Sequence, residues 1–427
     1  MKEGGSLPDE LIALRRVIYG EETGFLEENQ LVGPNDVHGC HVLLSYDDGT
    51  GPRLVGATHA VEADLCDFAE HSGLDTAALA RGVYMTRTLI APDFRQNGLY
   101  STLLYLSLQD FRVAGRDILY AFMLPGDTQL RDRLRYEFID GVPPRVVTGR
   151  GGKTYELHAT WGTLSYGMHR VWKTIPADLQ AFLCTQGFLA DEVEATVTRR
   201  LESFYRGPWL QALGNRTLAK HHYVTTLANM HQFVRWTTRI LAKVVGMTPD
   251  ASLRRHYIQH MKGEIDHERW IENDLGALGA DVDYVVNDMV ALPAVRKFMA
   301  LQESLCAFRQ DPVLFLAIPI AVEGLSARLP EGSGRLLFEA VASWGIADPR
   351  KATTFLGSHA HTDGGDEGHW EKTREMIARL VVSDKQMQEF LGVIHAVMDA
   401  QDEMYASYVS APSFIASENR AAGKSAA

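Results

Sequence analysis

The residues best suited to chemistry begin in HYIQHMKGEIDHERWIENDL, positions 256–275. His256, His260, Glu264 and His267 follow at spacings of four, four and three, which on a single α-helix puts all four on one stripe. Glu264 and His267 form an E-x-x-H pair, a carboxylate and an imidazole able to reach one metal ion from adjacent turns. A solvated polar face is the competing reading of that stretch alone. A second cluster, HAHTDGGDEGH at 359–369, weighs against it. Helical spacing brings His359, Asp363 and Asp366 to one face and makes His369 a neighbour of Asp366, although Gly364 and Gly365 interrupt the helix. Glu323 is the sole charge in VLFLAIPIAVEGL, 313–325. A carboxylate there either reaches water at a helix end or has a buried partner such as a metal. His231, in the apolar-periodic stretch YVTTLANMHQFVRW, is either a satisfied core histidine or a further ligand. Carboxylates and imidazoles without thiolates suit iron or manganese better than structural zinc.

These residues need a scaffold, and its class follows from composition. A chain of 427 residues, 46% apolar and 22% charged, is long enough for two globular domains. Ten of the sixteen histidines lie between 221 and 395, so the halves differ in character. A net charge of −12 argues against nucleic-acid binding. No run of eighteen apolar residues predicts a membrane span. The N-terminal MKEGGSLPDEL carries no hydrophobic signal region. Cys40, Cys66, Cys184 and Cys306 have no C-x-x-C spacing and fit a reducing cytoplasm.

The first half reads α-β-β-β-α-β. DELIALRRVI (9–18) has helical periodicity. CHVLLSYDD (40–48) and RLVGATHAV (53–61) form a hairpin across DGTG. VYMTRTLIAP (83–92) is a buried strand, and DILYAFML (117–124) another, with an amphipathic helix between them. A closing hairpin is expected at 145–162. Where strand hands over to helix stands RQNGLYS, 95–101. Backbone N–H groups at that helix start, Arg95 and the small Gly98 make an anion site a natural expectation.

With its preceding strand, Arg95-Gln96-Asn97-Gly98-Leu99-Tyr100 resembles the acyl-CoA-binding motif of the GNAT acyltransferases, and the early L-R-x-V-x-Y helix looks most like the N-acyl amino acid synthase branch. Tyr100 departs from the pattern, which has a small residue there. The resemblance implies an acyl-CoA or acyl carrier protein thioester as donor, contacted by Arg95, Asn97, Gly98 and Tyr100. It also implies a tyrosine on the following helix that protonates the leaving thiolate, for which Tyr136 is the candidate.

From 195 onward the chain reads as some seven helices. Its motifs resemble the heme-oxygenase-like diiron oxidases: Y-x-x-x-L-x-x-x-H-Q-F-V around His231, H-x-x-x-E-x-x-H-E-x-W from His260, A-V-E-G at Glu323, and H-x-x-x-D at His359 and Asp363. The family pattern H-x-x-x-D-x-x-H is broken here, since Asp366 stands at the last position and His369 follows. The resemblance implies two Fe(II) ions with O2 as co-substrate. Glu264, His267, Glu323 and His359 would be ligands, one or more of Asp363, Asp366 and His369 would complete a second site, and His231 would lie close by.

The expected architecture is an α+β GNAT-like domain (1–165), a helical connector (166–199), an all-α heme-oxygenase-like bundle (200–415) and a tail (416–427). The expected protein is a cytoplasmic, homodimeric, bifunctional biosynthetic enzyme. It would oxidise an amino-acid, amine or acyl small molecule, with acyl carrier protein as a possible partner. The rivals are a metal-free binding protein with a degenerate acyl-sensing domain, and a thiaminase-style hydrolase using Cys306.

Overall fold

The computed structural model describes residues 7–127, 131–132, 134–185, 188–329, 332–362 and 369–411; residues 185, 188, 359–362 and 369 are described in backbone alone. The chain divides into two compact units, Met1–Gln186 and Gly187–Ala427, a division inside the stretch expected to be a connector. No described helix is long and apolar enough to cross a membrane.

The first unit is built on a mixed sheet of seven strands. They are β1 (Cys40–Asp47), β2 (Pro52–Glu62), β3 (Gly82–Ile90), β4 (Ile118–Met123), β5 (Glu137–Phe138), β6 (Arg145–Thr148) and β7 (Thr154–Thr163). The order is β1-β2-β3-β4-β7-β5, with β6 also on β7. The β3–β4 pair is parallel, and the helix Leu99–Val113 makes its crossover; a parallel pair requires such a connection. Val55 to Val61 are buried without alternation, because β2 is covered on both faces. On one face Phe68 packs against Tyr84 and Tyr120, and Leu7, Leu11 and Ile18 meet Ala57 and Leu89; the helix Leu99–Val113 covers the other, where Leu103 stands over Gly56.

Two expectations need correction here. The first helix runs only from Asp9 to Arg15 and continues as a π-helix, Arg16–Glu22. Arg15 is wholly buried, its guanidinium donating to both oxygens of Asp36 at 2.8 Å. Tyr136 is not on a helix. It follows Arg135, whose φ of 53° ends the preceding turn, and leads directly into β5.

The second unit is helical throughout its described residues. Among the described residues thirteen α-helices follow Gly187, more than the turn signals indicated. The longest are Lys220–Met247 and Asp384–Ser410. Lys220–Met247 packs against Ala251–Gly263, His267–Ala277 and Pro293–Ser304, while Ala317–Ala327 packs against Phe188–Phe204, His369–Leu380 and Asp384–Ser410. Close approach of the last group depends on Gly324. A Cβ there would stand 2.9 Å from Val197 Cγ1 and 3.1 Å from Trp370 Nε1, and that indole N–H donates to the Ile320 carbonyl at 3.1 Å.

The stripe at 256–267 does not lie on one helix. The first helix ends at Gly263 and the next begins at His267, with Asp266 between them in the left-handed region at φ 69°. Aspartate tolerates that conformation better than most residues.

Candidate metal centre and adjoining cavity

Glu264 occupies the C-cap of its helix, and His267 the first position of the following one. The reversal between them still aims both side chains together: Glu264 Oε2 lies 3.0 Å from His267 Nδ1. The other oxygen, Oε1, faces His260 Nε2 at 3.8 Å. The same His260 nitrogen is 3.1 Å from Glu323 Oε1. Four side chains thus form a chain, Glu323–His260–Glu264–His267, contributed by three helices. Glu323 is 6% exposed in the middle of Ala317–Ala327, so it does not reach water at a helix end.

His256 belongs to the same stripe but turns away, 3.5 Å from Thr373 Oγ1. His231 is brought to Glu272, Nε2 to Oε1 3.0 Å. Burial lowers its proton affinity despite that carboxylate, and its Nδ1 has no hydrogen-bond partner among the described residues. Asp363 and Asp366 lie outside the described residues, as do the side chains of His359 and His369. The helix that carries His359, Thr354–Thr362, is nevertheless anchored to the His267 helix. Asp274 Oδ1 accepts from the Thr354 N–H at 3.1 Å and Oδ2 from the Phe355 N–H at 2.9 Å, satisfying amides that a helix start leaves free.

Glu264, His260 and Glu323 contribute to the wall of a cavity of about 300 Å³. The rest of the wall is largely apolar, with Phe204, Trp209, Phe298 and Phe315 among it, and no lysine or arginine lines it. Two carboxylates and two imidazoles at the end of such a cavity leave negative charge that apolar surroundings cannot solvate. A divalent cation would balance it, and the oxygen and nitrogen donors match iron or manganese. The residues present therefore fit an iron site. Cys306 does not line the cavity, and burial pushes its thiol up to about 11, the reverse of an activated nucleophile.

In the first unit Asp36, His41 and His59 place ligand-type atoms within 4.8 Å of one another. They are already committed to each other and to cations. Asp36 takes hydrogen bonds from Arg15, Arg87 and the Gly33 N–H. His59 has both nitrogens engaged, with Thr86 Oγ1 and the His38 carbonyl, each at 2.8 Å. The set is a buried polar network in which, among the described residues, His41 Nδ1 lacks a hydrogen-bond partner; with Arg15 and Arg87 already on Asp36, a metal ion would meet two guanidinium charges.

The expected anion site around Arg95 is committed in the same way. The Arg95 guanidinium donates to both oxygens of Glu22, at 2.5 and 2.7 Å, and to the Ile90 carbonyl. Gly98 adopts φ 73°, and a Cβ there would stand 2.1 Å from Pro176 Cδ. Glycine is needed for that backbone conformation and for Pro176. Asn97 is exposed, and Tyr100 half-buried. Burial, with Tyr100 close by, holds the Tyr136 hydroxyl well above its usual pKa.

No family model matches this chain, and no curated protein does. Among solved structures it is similar to a domain of unknown function with a heme oxygenase-like fold from Shewanella denitrificans OS217, at 17% identity over 56% of this chain and 95% of that one, TM-score 0.45. It is also similar to a TenA homolog from Pseudomonas syringae pv. tomato DC3000, at 14% identity over 52% and 93%, TM-score 0.45. A third is a CADD-like protein of unknown function from Nostoc punctiforme PCC 73102, at 17% identity over 52% and 97%, TM-score 0.40. At these scores the likenesses assign no activity.

The sequence reading did not include His260 among the ligands, nor Glu272 as the partner of His231. The signal for His260 was present in its i, i+4 spacing to Glu264. The cavity carried no local signal, because its wall is drawn from helices far apart in the chain.

Proposed function

We propose that the helical unit is a non-heme iron oxidase or oxygenase that uses O2 to act on a largely apolar small molecule. The observation that carries this reading is the chain Glu323–His260–Glu264–His267, whose first three members line a cavity that has no lysine or arginine among the described residues. Glu264, His267 and Glu323 would hold the first ion. His359, with one or more of Asp363, Asp366 and His369, would hold the second. Bound iron supplies the reduction of O2. The chain's own residues do the rest: His260 keeps the two carboxylates apart, and the aromatic wall excludes water and holds the substrate against them. Anaerobic titration with Fe(II) tests the reading. Uptake of about two equivalents, as in carboxylate-bridged helical sites, with an oxygen-dependent change in visible absorption, supports it. A folded protein that takes up neither iron nor manganese is instead a metal-free binding protein.

For the first unit we propose a GNAT-like fold, supported by topology. β3 pairs in parallel with β4 only from Gly82 to Met85, bulges at Thr86 and runs on to Ile90 without that partner, as a sheet does where it opens a cleft. A thioester carrier bound through Arg95 does not fit the residues present, since Glu22 already holds the guanidinium. No acyl-transfer step is derived.

A further inference from the structure

Among the polar groups of the cavity wall that the metal reading does not use, Gln401 has an unmet acceptor. Gln401, on the helix Asp384–Ser410, is 3% exposed and contributes to the wall together with Met404 and Tyr405 of the same helix. Its side-chain oxygen has no hydrogen-bond partner among the described residues. A buried amide oxygen in apolar surroundings is costly unless a donor reaches it. Among the described residues the lining includes no lysine or arginine, so a carboxylate or phosphate head group directed at Gln401 would meet no side-chain counter-charge. A volume of about 300 Å³ accommodates on the order of ten heavy atoms, at ~30 Å³ for a water-sized group.

From this we infer that the cavity takes an uncharged, largely apolar molecule carrying an N–H or O–H group, and that Gln401 selects it by accepting a hydrogen bond from that group. A fatty amide or alcohol has this chemistry; a fatty acid anion or an ester does not. The inference rests on the cavity assigned above to the iron-dependent reaction, and names the substrate class it admits. A site built to pair with a donor rejects the isostere that lacks it more strongly than an apolar wall rejects a missing methylene.

The test is calorimetric titration of the full-length, chelator-treated protein with octanamide, 1-nonanol, methyl octanoate and octanoate. Octanamide and 1-nonanol should bind about tenfold more tightly than the ester or the anion. Gln401→Leu should bring all the uncharged probes to within about threefold of one another, whereas Gln401→Glu should not bind the ester more tightly than the amide. Gln401→Met serves if the leucine variant does not fold. Equal or tighter binding of the ester or octanoate by the wild type overturns the inference. So does discrimination that survives in the apolar variants, or no binding of any probe at millimolar concentration. Because the binding assay contains no metal, absence of discrimination by the wild type alongside normal iron uptake sinks this inference alone. Retained discrimination without iron uptake sinks the oxidase reading alone.

Discussion

His260 Nε2 stands 3.1 Å from Glu323 Oε1, joining two helices whose residues are more than sixty positions apart. The same nitrogen faces Glu264 Oε1 at 3.8 Å, so one imidazole spaces two buried carboxylates. Removing it should loosen both. His260→Ala is expected to weaken Fe(II) binding by about 10- to 100-fold, the loss typical of groups that orient metal ligands. Glu264→Ala and His267→Ala should abolish one site. Equilibrium titration against a competing chelator reads both effects, and wild-type affinity in His260→Ala would remove the residue from the site.

Asp274 couples the His267 helix to the start of the helix carrying His359. Asp274→Ala leaves two amides of a helix start without that acceptor, at a cost of about 1–3 kcal/mol in stability. Asp274→Asn should recover part of it. Urea unfolding measures the loss, and iron stoichiometry measured on the same variants should fall from about two toward one if the coupling positions the second site.

Gly98 is held at φ 73° with Pro176 in the space a Cβ would take. Gly98→Ala should destabilise the protein by about 1–3 kcal/mol through strain and steric clash, as read by thermal melting. Arg95→Ala should leave retention on immobilised coenzyme A unchanged, because Glu22 already holds the guanidinium. A clear loss of retention would restore Arg95 as a carrier-binding residue.

His59 stacks on His41 with ring centroids 4.1 Å apart. Burial, then the neighbouring His41 ring, lower its pKa from 6.5 to about 4. The folded state thus binds its proton less readily than the unfolded chain. The stabilising contribution is complete above pH 6.5 and is lost as pH falls from there toward 4, with no further loss from this group below. His59→Gln should flatten the dependence of melting temperature on pH across that window. An unchanged slope would mean that the histidine pair does not set it.

Much of the local structure was legible in the sequence. Val55 to Val61, the strand starting near Gly82 and the periodic Leu99–Val113 segment each declare themselves through the spacing of apolar residues, which neighbours along the chain decide. Glu323 was legible too, as a charge in an apolar run, and the E-x-x-H spacing pointed to the contact between Glu264 and His267, though on one helix rather than two. Tertiary structure decided what lies between elements. The helix break at Asp266 was invisible to periodicity because a reversal of three residues preserves the E-x-x-H contact while discarding the helix. Arg95 looked like an anion ligand until Glu22, 73 residues earlier, took its guanidinium; Gly98 proves to be required by Pro176, which takes the space of a side chain there. His260 and Gln401 gain their meaning only from helices that meet across a cavity. A residue's spacing determines which face it shares with its neighbours. The partner that face meets depends on long-range packing, where the free energies of burial and of unmet hydrogen bonds are settled.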